Sequence, residues 1–200
     1  MHPAKSIVFF TTLSGVGYGL LTLLGLFGVL GLLPAGAVSG VITMAICFAL
    51  IFAGLLSSTG HLSHRERAWR AFTQWRSSWL SREAVAALLT FVPAGLFALG
   101  WVMLGAVAGW TRWAGAVAGL CALVTIFTTG MIYASLKPVR EWHTPFTVPG
   151  YLLYGLMSGL SFLTAILAGL GHLPALLPLV AALISVVGFL WKRASWYYTA

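Results

Sequence analysis

Long apolar segments alternate with short polar connections along the whole chain. The apolar segments cover about residues 7–33, 37–58, 84–108, 113–134, 147–170 and 173–191. Each is near or above the roughly 20 residues that a helix needs to cross a bilayer. A backbone in lipid has to satisfy its own hydrogen bonds, so each segment is expected to be helical. The pattern predicts an all-α, polytopic transmembrane bundle of six spans, forming one integral membrane domain over residues 1–200.

The composition agrees with this pattern. Hydrophobic residues make up 60% of the chain and charged residues 7%, with a mean hydropathy of +0.98. Soluble domains carry about 25% charged residues. The first apolar run, from Ile7 to Leu33, is too long for a signal-peptide core of roughly 7–15 residues. We therefore expect this run to remain as a membrane-spanning helix.

The cations lie almost entirely on one side of the predicted bundle. Of the eleven lysines and arginines, only Arg112 falls on the other side. The remaining cations are Lys5, five arginines in the connection 60–82, Lys137, Arg140, Lys192 and Arg193. The positive-inside rule then predicts a cytoplasmic N-terminus. Because these cations sit at the ends of spans, the net charge of +8 indicates membrane topology and partner docking, not nucleic-acid binding.

The connection between the second and third segments concentrates most of the polar chemistry, as HLSHRERAWRAFTQWRSSWLSRE. Its aromatic residues Trp69, Phe72, Trp75 and Trp79 recur at steps of three, three and four, the spacing of one helix face. The arginines fall largely off that face. The pattern predicts an amphipathic connection over residues 60–82 that lies in the membrane interface.

The two ends of this connection carry titratable groups. His61 closes the second span and Glu83 opens the third, so both are expected to flank one interfacial pocket. A histidine that hydrogen-bonds a quinone oxygen, with a carboxylate to relay protons, suits quinone chemistry. Each residue also has a structural explanation. His61 favours the C-terminal end of a helix dipole, and Glu83 favours the first turn of the next helix.

Residues that other membrane proteins need are missing from the span centres. The chain has no Asp, and Glu66, Glu83 and Glu141 lie in connections or at a span end. Proton-coupled transporters usually carry ionisable groups within the bilayer, so a transporter is disfavoured. No histidine lies mid-span, and we expect no haem in this chain, with a haem held by His61 and His143 as the minor alternative.

Metal clusters are not expected in this chain either. Cys47 and Cys121 both lie inside apolar segments, where they are interpreted as small buried hydrophobes. No CxxC motif occurs, which argues against an iron–sulfur cluster or a structural zinc bound by this chain.

The quoted connection resembles a characteristic segment of the dimethyl sulfoxide reductase anchor-subunit family. That segment has a His-Leu-Gly pattern, then Arg-Ala-Trp, then Trp-Leu-Ser-Arg-Glu. The stretches MHPAKSIVFFTTLSGVGYGL and YASLKPVREWHTPFTVPGYLLYGL are similar to family segments too. Three matches in order cover nearly the whole chain, and within the family the likeness is greatest to anchors of quinone-linked sulfite dehydrogenases.

The resemblance implies a bacterial inner-membrane anchor that holds a molybdopterin catalytic subunit and a four-cluster iron–sulfur subunit. Electrons then pass between the clusters and a quinone, ubiquinone or menaquinone, in the anchor, which has no haem. Sulfite oxidation is the activity that the likeness and the predicted cytoplasmic basic side favour. A dimethyl sulfoxide reductase-type complex that oxidises quinol, and a purely structural anchor without a quinone site, remain alternatives.

The resemblance also implies roles for single residues. His61 matches the family histidine of the quinone site, and Glu83 matches the acid of the last motif, expected to bind quinone and relay protons. Arg67 and Trp69 match Arg-Ala-Trp and are assigned to the same site. The arginines expected to dock the iron–sulfur subunit are Arg65, Arg70 and Arg76.

The chain departs from the family pattern at three points. Ser63 stands where Gly is usual and Arg65 where Pro is common, which affects the expected loop shape. Family members usually have eight helices, and six are predicted here. The sequence either lacks two C-terminal helices or ends early, and its ending at Tyr198–Thr199–Ala200 directly after a span favours the second interpretation.

Overall fold

The computed structural model describes residues 5–58, 69–70 and 72–199. Their architecture is six α-helices with no strand in these ranges, which confirms the all-α prediction. The helices are α1 (Lys5–Leu30), α2 (Ala37–Ser58), α3 (Trp79–Leu104), α4 (Trp110–Ala134), α5 (Thr147–Gly169) and α6 (Leu177–Thr199). All six are long and apolar enough to cross a membrane, so the chain is a multi-pass membrane protein.

Several helix ends differ from the ends of the apolar segments. The first and third helices stop earlier than those segments, at Gly31 and Gly105, whose positive φ angles end a helix without steric cost. The third helix starts at Trp79 and the sixth continues to Thr199, because polar residues at the membrane surface still extend a helix. The sixth starts at Leu177, with Pro178 in its first turn, where a missing N–H costs nothing.

Helix α1 lies at the centre of the bundle and packs against α2, α4 and α5. Glycines permit this close approach. A Cβ atom at Gly19 would meet the Gly155 carbonyl of α5, and one at Gly25 would meet the Gly115 carbonyl of α4. Small residues let membrane helices approach backbone to backbone. The core between the helices includes Trp101 and other fully buried side chains, namely Leu20, Leu21, Leu24, Cys47 and Phe97.

Six spans joined by short connections alternate in direction across the membrane. The starts of α1, α3 and α5 and the ends of α2, α4 and α6 therefore share one end of the bundle. Lys5, Arg76, Lys137, Arg140 and Lys192 lie at or next to these helix ends. We call this the basic end.

The described part of the connection before α3 is not a regular helix, although its aromatic residues recur at the spacing of one helix face. Its described residues form a short 3₁₀ turn at Trp69, Arg70 and Phe72, followed by hydrogen-bonded turns. The Thr73 hydroxyl donates to the Arg70 carbonyl at 2.9 Å, and the backbone N–H of Ser78 donates to the Gln74 carbonyl at 2.9 Å. Ser and Thr side chains compete in this way for backbone carbonyls, and the regular helix begins only at Trp79.

Candidate functional site

Glu83 lies inside α3, near its start, and points into the bundle. The buried face of this part of the helix consists of Glu83, Ala87, Thr90 and Ala94. Residues at these spacings share one helix face, and this face meets α4. Glu83 is 6% exposed, and Thr129 Oγ1 donates a hydrogen bond to its Oε1 at 3.0 Å. Deeper in the bundle, the Thr90 and Thr125 hydroxyls are hydrogen-bonded at 3.2 Å.

The surroundings of Glu83 explain why its position is informative. Taking an ionised carboxylate out of water is costly unless it is paired or hydrogen-bonded. Within the described part of the chain the carboxyl group has a hydroxyl partner, Thr129, and no cationic partner. Carboxyl groups inside transmembrane helices are rare and mark functional sites by default. Sequence reasoning placed Glu83 at a span end, whereas α3 begins at Trp79 and buries it.

A cavity of about 570 Å³ opens at the basic end between α1, α4, α5 and α6. Ligand sites in proteins typically enclose about 300–1,000 Å³. Tyrosine and tryptophan form much of its wall. The rings of Tyr133 and Tyr151 stack with centroids 5.3 Å apart, and Trp142 meets Tyr133 edge to face at 5.1 Å. Thr129, the partner of Glu83, also lines this cavity.

Tyr18 of α1, whose side chain is part of the cavity wall, carries an unused hydrogen-bonding group. Its side chain is 2% exposed, and its hydroxyl has no hydrogen-bond partner among the described residues. Two serine hydroxyls of the wall are already satisfied within their own helices. Ser14 donates to the Phe10 carbonyl at 2.6 Å, and Ser158 donates to the Tyr154 carbonyl at 2.7 Å.

Only some of the residues predicted for the quinone site lie in the described part of the chain. His61 and Arg67 lie outside the described residues, as does Arg65 of the docking set. Trp69 is 61% exposed, and Glu83 is buried.

The docking arginines that the structure describes are at the surface. Arg70 and Arg76 are exposed, and each guanidinium lies near a neighbouring tryptophan ring. The distances to the ring centroids are 5.9 Å from Arg70 to Trp69 and 5.6 Å from Arg76 to Trp75.

Arg82 joins the connection to the start of α3. Its Nε donates to the Trp75 carbonyl at 3.0 Å, and its Nη2 donates to the Arg76 carbonyl at 2.8 Å. The same guanidinium lies 4.3 Å from the centroid of the Trp79 ring, a favourable cation–π geometry. Arg82 therefore fixes the turn that enters the helix next to Glu83.

Sequence reasoning missed the residues that surround the cavity. Tyr18 lies within a glycine-rich run of α1, where helix packing was the expected role. Thr129 and Tyr151 lie in apolar spans with no motif around them. Their signal is a polar side chain on the inner face of a span, which becomes visible only when neighbouring helices are placed.

Comparisons with known proteins identify the family and a relative of this chain. The model of a family described as the dimethyl sulfoxide reductase anchor subunit matches residues 1–194. A subunit of the sulfite dehydrogenase of Allochromatium vinosum is 36% identical over 222 residues, an alignment that covers 97% of this chain. The chain spans 64% of the length of that relative. No solved structure matches the chain.

Proposed function

The chain belongs to the dimethyl sulfoxide reductase anchor-subunit family, and from this premise we propose that it is the quinone-binding membrane anchor of a molybdopterin oxidoreductase complex. It passes electrons from an iron–sulfur subunit to the quinone pool during sulfite oxidation, the activity in the name of its relative. The observation that best supports quinone binding is the position of Glu83. A buried carboxyl group hydrogen-bonds to Thr129, and Thr129 lines a cavity of ligand size.

The chain's own residues bind the quinone and handle its protons. When bound, the quinone supplies two-electron, two-proton chemistry, with the electrons coming from the iron–sulfur subunit. Glu83 takes protons from water at the basic end and transfers them one at a time, as a positioned carboxyl group does in general acid catalysis. His61 hydrogen-bonds a quinone oxygen, and Arg67 and Trp69 complete the same site.

The basic end also docks the partner subunits. Arg65, Arg70 and Arg76 face the four-cluster iron–sulfur subunit, which carries the molybdopterin catalytic subunit. Arg70 and Arg76 are exposed and use no carboxylate of the described residues, so their guanidinium groups are available to acidic groups of a partner. By the positive-inside rule this end faces the cytoplasm of a bacterial inner membrane.

Replacing His61 by Ala tests the proposed quinone site. We expect quinone-linked turnover of the purified complex to fall at least about tenfold, the scale of a lost hydrogen bond to the quinone. Turnover with a soluble artificial electron acceptor should stay unchanged, because it bypasses the anchor. Unchanged quinone-linked turnover in His61→Ala would overturn the assignment of His61.

Bound quinone distinguishes this function from a purely structural anchor. Organic extraction of the purified complex is expected to yield ubiquinone or menaquinone in near-stoichiometric amount, together with the co-purifying subunits. A structural anchor would yield no quinone, and inhibitors that compete with quinone would leave its turnover unaffected.

A further inference from the structure

The cavity between α1, α4, α5 and α6 has the volume of a ligand site, and aromatic rings and hydroxyl groups line it. We propose that it holds the head group of the quinone, with the Tyr18 hydroxyl donating a hydrogen bond to one quinone oxygen. This inference rests on the proposed function and adds to it a location and a binding residue. Four features of the cavity wall support it. They are a hydrogen-bond donor without a partner, a hydroxyl group bonded to a buried acid, flat aromatic surfaces, and a glycine with free space beside it.

The hydrogen-bond donor without a partner among the described residues is Tyr18. A buried polar group without a partner costs about 1–3 kcal/mol of stability, and such groups in native structures call for an explanation. The Tyr18 hydroxyl is buried and unpartnered among the described residues, and the Tyr18 side chain forms part of the cavity wall. A quinone oxygen accepts hydrogen bonds and cannot donate them, so it is the complement of this O–H group.

The hydroxyl group bonded to a buried acid is that of Thr129. Its Oγ1 lies 3.0 Å from Glu83 Oε1 and 2.9 Å from the Thr125 carbonyl oxygen. A hydroxyl carries one proton to donate and two lone pairs to accept. When Thr129 donates to the Glu83 carboxylate, a lone pair remains to accept a hydrogen bond from a hydroxyl of the quinol, the reduced form of the quinone, in the cavity. Thr129 therefore connects the buried acid to whatever occupies the cavity.

Aromatic rings supply flat surfaces to the cavity wall. Tyr133 and Tyr151 stack at an interplanar angle of 13°, and Trp142, Phe146 and Trp191 also contribute to the wall. Planar π systems prefer offset-stacked or edge-to-face neighbours. A quinone ring fits such walls, and the remaining apolar wall suits its hydrocarbon tail.

The glycine with free space beside it is Gly15, on the face of α1 that lines the cavity. A Cβ atom built at Gly15 meets nothing within 4 Å, whereas one at Gly19, a turn later, meets the Gly155 backbone. The Gly15–Gly19 pair therefore combines two functions. Gly19 permits close packing of α1 and α5, and Gly15 leaves space in the cavity.

The Gly15 position provides a steric test with a matched control. Gly15→Leu places a side chain in the cavity. The control, Gly95→Leu, places the same side chain on α3, at another half-buried glycine. A Cβ atom there would also meet nothing within 4 Å, and Gly95 does not line the cavity. Each purified complex is titrated with decylubiquinone and, separately, with a short-chain menaquinone. Binding is read as quinone retained after free ligand is removed, independently of turnover.

We expect Gly15→Leu to lose at least about tenfold in affinity for the bound probe and Gly95→Leu to match the parent. Tyr18→Phe removes one oxygen without changing the ring, and we expect its affinity to fall about tenfold, as for a lost neutral hydrogen bond. Co-purification of the partner subunits checks that each variant assembles. Should Gly15→Leu fail to assemble, Tyr18→Phe decides alone.

The outcomes separate this inference from the proposed function. A parent complex that retains neither probe contradicts quinone binding by the anchor, and the cavity proposal falls with it. A parent that binds while assembled Gly15→Leu and Tyr18→Phe bind equally well overturns the cavity alone. Loss in both variants, with binding retained in Gly95→Leu, supports the cavity as the site.

Discussion

At the scale of single residues, Thr129 and its neighbour Thr128 separate a functional hydroxyl from a structural one. Both are buried on α4, and both donate to carbonyls of their own helix. Only Thr129 also bonds to Glu83. We expect Thr129→Val to destabilise the protein by about 1–3 kcal/mol, because a buried carboxyl group loses its partner, and to slow quinone-linked turnover. Thr128→Val should change both quantities little.

Thermal unfolding of the detergent-purified complex, followed together with turnover, measures this difference. Equal destabilisation by Thr129→Val and Thr128→Val would show that the Glu83 contact adds nothing to the stability of the fold. A loss of turnover without a loss of stability in Thr129→Val would place the hydroxyl in proton transfer and contradict its expected contribution to stability.

At the scale of helices, hydrophobic patterning predicted the number and type of elements because a lipid environment leaves helices as the simplest spanning structure. It predicted the second helix with the bounds that the structure shows. It did not predict the turns before α3, because local hydrogen bonds form them and hydrophobic periodicity does not report such bonds. Ser77 and Ser78 donate to the Gln74 carbonyl, and the Arg82 guanidinium donates to two backbone carbonyls. The aromatic spacing alone indicated a regular helix there.

Helix packing gives a prediction at this scale. Gly19→Ala would place a methyl group against the Gly155 backbone, and overpacking costs about 1–3 kcal/mol. Gly95→Ala adds the same group in open space, where Gly-to-Ala substitution favours a helix by roughly 0.5–1 kcal/mol. We expect Gly19→Ala to lower the melting temperature of the detergent-purified protein and Gly95→Ala to leave it unchanged or higher. Equal melting temperatures would contradict the close α1–α5 contact.

At the scale of the whole molecule, the candidate site combines what the sequence could and could not predict. Glu83 was identified from its position in the polar connection, and the structure adds its burial and its partner. Tyr18, Thr129 and Tyr151 are far apart in sequence, on three different helices, and only helix packing brings them to one cavity. No local pattern in a single span contains that information.

The orientation of the bundle decides which aqueous compartment the cavity faces. Apart from Arg112, every lysine and arginine among the described residues falls on the side of the basic end, and the cavity opens there. We therefore expect protons for quinone reduction, and the partner subunits, to come from the cytoplasm. Alkaline phosphatase, which is active only outside the cytoplasm, provides the measurement when inserted into single connections.

Insertions after Gly36 and after Gly171 are expected to be active, since both positions lie at the end opposite the basic end, and an insertion after Arg140 should be inactive. A green fluorescent protein inserted at the same positions provides the control, because it should fluoresce only after Arg140. The reversed pattern would place the basic end outside the cytoplasm. In that case the cations would reflect partner docking alone, and the complex would carry its catalytic subunit on the exported side.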